Sequence, residues 1–395
     1  MAHKKRRIRI IIILLIFFFY FFIAARPIPR EIVLSYNWIS SLNDSSSSSQ
    51  TALGDFSGGS PQAAQGKSVP AELKGELLPF TLGARFGYAD GTGQFALNKV
   101  KTNDIYLSPH LWSEYSPEPV DLIINNIIDN SEIKIQNARG YPVLLDNRIF
   151  VFGSEQNSIS EIDEYGKTKW IYEFGAPLTC MDAASGLVLT GSLDGVVEVF
   201  NSDGERIFYF EPGGSLYSVI LGAALSKTGS HIGIVCGIEQ QRFLLFERFG
   251  SAGGEYKIAY HEFIGDGFRR PVRVQFIDED ARVIFERAGG IGCYTIKSRR
   301  TIIIPLDGSI AAVDDSGRDG LLFLITSHPY QNNRLVGIKF PQEKFFAFSG
   351  GRSEDTIFLK APFKSENVFL GRSADGSVVV AGGGTTLISF NLEEK

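Results

Sequence analysis

The chain has 395 residues, 42 of them glycine and 31 phenylalanine against only two methionines. That length suits one large repeat core or two ordinary domains, and nothing in it marks a boundary between unrelated folds. Seven of its 39 Lys and Arg residues fall in 1–30 with no acid among them, so 32 basic residues face 44 acidic ones in the remainder, a balance that argues against general nucleic-acid binding.

Lys4, Lys5, Arg6, Arg7 and Arg9 precede an uninterrupted apolar run at 10–25. A helix of that length spans about 24 Å, slightly under the hydrocarbon thickness, and Arg9 can snorkel to extend it. These residues predict a cytoplasmic basic head at 1–9, a single transmembrane helix at 10–25, and the rest of the chain beyond the inner membrane, in the periplasm. A cleaved signal peptide is the competing reading, although a cut after Ala25 leaves Ile23 where a small residue is wanted. The first cysteine is Cys180, which excludes a lipoprotein signal. Residues 26–70 read as a juxtamembrane segment and a Ser/Gly-rich linker. The part around Trp38 fits either a helix or a surface-hugging segment, and SSSSSQTALGDFSGGSPQAAQG, from Ser45, fits a flexible tether.

From Phe80 onward strand and turn signals recur without a long amphipathic helix, so the expected fold class is all-β. Arg85 to Tyr88, the turn DGTG and Gln94 to Asn98 form a first hairpin, with further strands around Ile105 and Leu122. In GSLDGVVEVFNSDGERIFYF, from Gly191, two short strands are punctuated by Asp194-Gly195 and Asp203-Gly204. The same punctuation stands 38 residues earlier in GSEQNSISEIDEYGKTKWIY, pairing Gly153 with Gly191, Gly166 with Gly204 and Trp170 with Phe208. Repetition at this spacing is the mark of a propeller or a solenoid. Residues 75–395 yield about seven four-stranded units of roughly 45 residues, with six or eight also compatible. The last unit, NVFLGRSADGSVVVAGGGTTLISFN, offers only three strands. Residues 75–82 are the expected source of its outer strand.

GSLDGVVEVFN resembles the third strand of a WD40 repeat, with Phe200-Asn201 where that family has Trp-Asp, and LSKTGSHIGIVCG and GRSADGSVVVAGG resemble its preceding strand pair. DEYGKTKWIYEFG, with Trp170, is similar to the repeat of PQQ-type propellers. The resemblance covers about four-fifths of the chain and implies a β-propeller fold. It implies no particular chemistry, since function resides in sites and not in folds.

The chain has no Cys-Cys pair of the kind a PQQ enzyme uses, so no cofactor is expected. His110, His231, His261 and His328 fall in different units, and the Asp-Gly pairs at 90, 194, 203 and 375 sit where turns belong, so no metal site is expected either. Cys180, Cys236 and Cys293 read as buried free thiols, with one disulfide and a leftover thiol as the alternative. The least ordinary surface feature is the basic stretch from Arg269 to Arg300, in which Arg269, Arg270, Arg273, Arg299 and Arg300 are candidates for docking an acidic partner, against the plainer reading of a solvated blade face.

The functional expectation is a non-enzymatic, monomeric scaffold in a bacterial cell envelope. The membrane holds it through the N-terminal helix, and it presents loops to protein partners, with no nucleic acid involved. The alternative is an envelope hydrolase or lyase with its site in the propeller channel.

Overall fold

A computed structural model of the chain describes residues 13–15, 17–20, 31–43, 76–250, 254–265, 267–314, 320–328, 331–340, 356–373, 376–382 and 384–394. Two compact units emerge. One comprises Met1–Ser35 with Leu392–Lys395, and the other Tyr36–Asn391. The smaller holds short helical stretches at 13–15 and 17–20. No helix among the described residues is long and apolar enough to cross a membrane, and most of the expected anchor at 10–25 lies outside them.

The described strands form an all-β propeller of eight blades, seven of them antiparallel meanders of consecutive strands. In chain order they span 78–100, 104–135, 140–173, 178–210, 220–265, 274–305, 309–363 and 370–394. The sequence-based count of about seven falls one short because the first two blades read as a single unit. Among the described residues blade 1 has only three strands, and blade 2 is built from strands of four or five residues such as LWSEY and EIKI, whose polar content blurs the repeat.

Blade 8 corrects a second expectation. Its fourth, outermost strand is Ile32–Ser41, whereas Leu78–Leu82 is the first strand of blade 1. Chain order therefore places the Ser-rich run between two strands of the propeller, and the juxtamembrane reading of the Trp38 region gives way to a strand.

The core lies between blades. Leu189, Val197 and Val199 of blade 4 pack with Ile220, Ile234, Leu244 and Phe246 of blade 5, and the next layer joins Val235, Phe243 and Leu245 to Val283, Phe285 and Tyr294 of blade 6. Phe243 and Phe285 stack across that boundary with ring centroids 4.1 Å apart. Between blades 3 and 4, Trp170 lies between Phe150 and Phe200 at 6.3 and 6.2 Å, and its Nε1 donates to the buried Glu161 at 3.0 Å. The repeated turn glycine explains that fit. A Cβ on Gly204, whose φ is +79°, would stand 2.5 Å from the indole, so only glycine admits the ring.

Four strands per blade bring the chain back to the end at which it entered. From blade 2 onward, linkers between blades and the turns joining second to third strands share one end of the ring, the loop end. The turns joining first to second and third to fourth strands share the other, the turn end. Aspartates fasten the turn end. Asp146 accepts the Gly186 N–H at 3.2 Å, Asp182 that of Leu225 at 2.8 Å, Asp280 those of Lys227 and Thr228 at 2.8 and 3.0 Å, and Asp278 that of Gly320 at 3.2 Å, each across a blade boundary.

Burial pushes the Asp182 carboxyl up to about 6, against the pull of the Leu225 and Ala183 N–H donors and with help from the nearby Asp146 charge. The folded state thus holds this proton more tightly than the unfolded chain, whose carboxyl titrates near 4. Its contribution to stability is fully present below about pH 4 and is lost as pH rises toward about 6, a change of at most about 3 kcal/mol. Asp182→Asn keeps an acceptor and cannot ionise, so the difference in urea midpoint between variant and parent is expected to shift in the variant's favour across that window. A difference that stays flat with pH would contradict the assignment.

Candidate functional site

The loop end of blades 4 to 6 is where large side chains are left over from the core. Leu216 is 78% exposed, Phe263 59%, Tyr217 56% and Leu193 55%. Leu193 stands in the second turn of blade 4, its N–H held by the Pro177 carbonyl at 2.8 Å. The linker 211–219 then runs over the start of blade 5. Tyr217 accepts the Ile238 N–H, and Ser215 Oγ donates to the Glu239 carbonyl at 3.0 Å. Gly214 lies so close to the Arg242 guanidinium that a Cβ would sit 3.1 Å from it, and that guanidinium in turn reaches the Phe263 ring, 6.0 Å from its centroid. Backbone bonds thus hold the Leu216 loop, and the apolar side chains face water. Exposed large apolar groups clustered and rimmed by charge suit a binding surface.

The next linker supplies the rim. Gln241, buried, clamps Phe268 through both amide atoms, taking its N–H at 3.2 Å and donating to its carbonyl. This clamp fixes the run into Arg269 and Arg270, both exposed. Arg270 lies over the Phe268 ring at 4.6 Å and pairs with Glu286 at 2.5 Å, while Glu286 also accepts the Arg273 N–H at 3.3 Å. Arg287 pairs with Glu262 at 3.4 Å. Glu286 and Glu262 are therefore committed to arginines, and Arg269 stands exposed beside them.

Arg299 and Arg300 lie elsewhere. They occupy the third-to-fourth turn of blade 6, at the turn end, where Thr295 pairs with Arg300 and with Arg282. A strand of six residues separates the two ends by about 20 Å. The basic stretch is thus one run in sequence and two surfaces in space, with Arg269, Arg270 and Arg273 on one and Arg299 and Arg300 on the other. Leu193, Leu216, Tyr217 and Phe263 were not candidates from sequence. The available signal was two large apolar residues inside the Gly/Ser/Pro-rich loop EPGGSLYSV.

The histidines stay apart, His110 in blade 2, His231 and His261 on different strands of blade 5, and His328 in blade 7. Among the described residues no three His, Cys, Asp or Glu side chains group as metal ligands. All three cysteines are free. Burial pushes the Cys180 and Cys293 thiols up to about 12 and Cys236 up to about 11, so they remain protonated and poorly nucleophilic.

An uncharacterized protein of Treponema pallidum (strain Nichols) is 29% identical over 245 residues, 62% of this chain and 64% of the relative, so the match spans less than two thirds of that relative's length. The crystal structure of the computationally designed Ika8 protein is similar with a TM-score of 0.53 at 12% identity, over 82% of this chain and 98% of that one. A chain of the mitotic checkpoint complex reaches 0.49 at 11% identity, over 87% and 99%. At 12% identity the likeness to the designed protein shows the fold alone. Residues 1–394 match the model of a family described as beta-propeller protein, and the chain belongs to that family.

Proposed function

We propose that this propeller, of WD40/PQQ-like type, is a non-enzymatic protein-binding scaffold of a bacterial cell envelope, anchored in the inner membrane by residues 10–25 with its blades in the periplasm. The observation that carries the binding role is the loop-end surface of blades 4 to 6, where Leu193, Leu216, Tyr217 and Phe263 stand exposed beside Arg269 on loops held by backbone bonds. A fixed loop presents its side chains at little entropic cost, which favours recognition. The innermost strands give the same reading from the other side. They run LTCMDAA in blade 4, ILGAAL in blade 5 and SIAAV in blade 7, and Asp182 spends its carboxylate on the backbone of the next blade.

Chemical crosslinking in native membranes, with partners identified by mass spectrometry, tests the reading when two surface variants are compared. Leu216→Asp with Arg269→Glu is expected to abolish capture of the principal partner. Arg299→Glu with Arg300→Glu, at the opposite end, is expected to leave capture unchanged. Both variants should fold, since exposed substitutions typically shift stability by no more than about 0.5 kcal/mol. Equal capture by parent and loop-end variant would sink the assignment of this face.

A further inference from the structure

Among the described residues, blade 1 has three strands where each of the others has four. Its third strand, Phe95–Val100, is consequently an edge. None of its six residues is buried and Val100 is 54% exposed, whereas the third strand of blade 4, Val197–Phe200, is buried throughout. Register identifies which backbone groups are open. The Lys101 N–H donates to the Ala84 carbonyl at 2.9 Å, in step with the pairing of Arg85 with Val100, Phe86 with Lys99 and Gly87 with Asn98. Bonded and non-bonded pairs alternate in an antiparallel ladder, so residues 97, 99 and 101 spend their N–H and C=O groups on the neighbouring strand. Those of Asn98 and Val100 turn outward, where a fourth strand would lie.

We infer that an extended segment of a second protein pairs with Phe95–Val100 and completes blade 1. Free N–H and C=O groups at a sheet edge are a template for strand addition. Charge narrows the partner: Lys99, exposed with its ammonium 4.6 Å from the Trp112 ring centroid, and the half-buried Lys101 put two cations along the open edge, so the incoming strand carries a carboxylate at this level. A second copy of this chain fits poorly. Blades 2 and 8 each extend one strand further out, about 4.8 Å, and an equally recessed edge on another ring does not reach into the notch. The site lies on blade 1, apart from the Leu216 surface, so each can fail without the other.

The test places p-benzoylphenylalanine at position 99 of the full chain, irradiates the cells that make it and locates the crosslinked residue by mass spectrometry. The expected product joins position 99 to an extended run of another protein with Asp or Glu within about two residues of the link, the reach of cross-strand neighbours. Val100→Pro removes an outward N–H without breaking a ladder bond. It is expected to cut adduct yield roughly fivefold or more, the worth of one lost hydrogen bond, while Val100→Ala keeps it. Should Val100→Pro lower the urea midpoint, Lys101→Glu takes its place and is expected to cut the yield more at low salt than at high. No adduct, an adduct with a second copy of this chain, or an adduct indifferent to these variants would overturn the inference.

Discussion

Asp314→Ala is expected to cost about 3–5 kcal/mol of folding stability, a large share of what a propeller of this size possesses. Asp314 ends the first strand of blade 7 and faces Arg372 of blade 8 across 3.5 Å, with the two side chains 1% and 2% exposed. The guanidinium lies 5.6 Å from the Phe323 ring centroid and its Nε donates to the Gly376 carbonyl at 3.2 Å, so the arginine is held from several sides and cannot swing out to water. Removing the carboxylate takes a buried counter-ion from that charge, which is where the cost arises. Replacing both members, Asp314→Leu with Arg372→Met, removes the buried charge together with its counter-ion and is expected to recover much of the loss. Urea midpoints of the single and double variants decide. A single variant within about 1 kcal/mol of the parent would mean that water reaches the pair.

What could be read from the residues alone was whatever repeats locally. The 38-residue spacing of Gly166 and Gly204 is visible because each glycine takes positive φ inside its own turn, and Trp170 is visible because it packs against the next such turn. Parity was not visible. Whether Arg269 and Arg299 share a surface depends on how many strands separate them, and one strand more or fewer exchanges the two ends of the ring. That blade 1 shows three strands among the described residues escaped notice for a related reason, since they read on without a break into the short strands of blade 2. The aspartates of the turn end do have a local signal, because Asp146, Asp278 and Asp280 take positive φ, but the turn they make gives no hint that their carboxylates reach another blade.

A chain beginning at residue 44 is expected to unfold well before one beginning at residue 31, by something on the order of 5 kcal/mol. Ile32–Ser41 looked unlike a strand because its burial pattern has no clean alternation and its partner strand is remote. Asn37 bonds Ser389, 352 residues away. Yet the contacts at this seam are specific. Leu42 is 1% exposed in a cluster with Phe80, Leu82, Val379 and Leu387, so its loss alone forfeits about 2 kcal/mol of burial. Trp38 Nε1 donates to the Gly91 carbonyl at 2.9 Å, Ser40 Oγ to that of Gly93 at 2.6 Å, and the Leu42 N–H to that of Thr385 at 2.8 Å. Each such bond contributes about 1 kcal/mol; the first two join blade 8 to blade 1, and the third ties the segment into blade 8. Without the segment, blade 8 also presents a bare edge along Thr386–Glu394, open to association with other chains. Adding a synthetic peptide of residues 31–43 to the shorter chain should raise its midpoint in a concentration-dependent way, as any ligand of the folded state does. Identical midpoints for the two chains, with no response to the peptide, would show that the ring holds together without this strand.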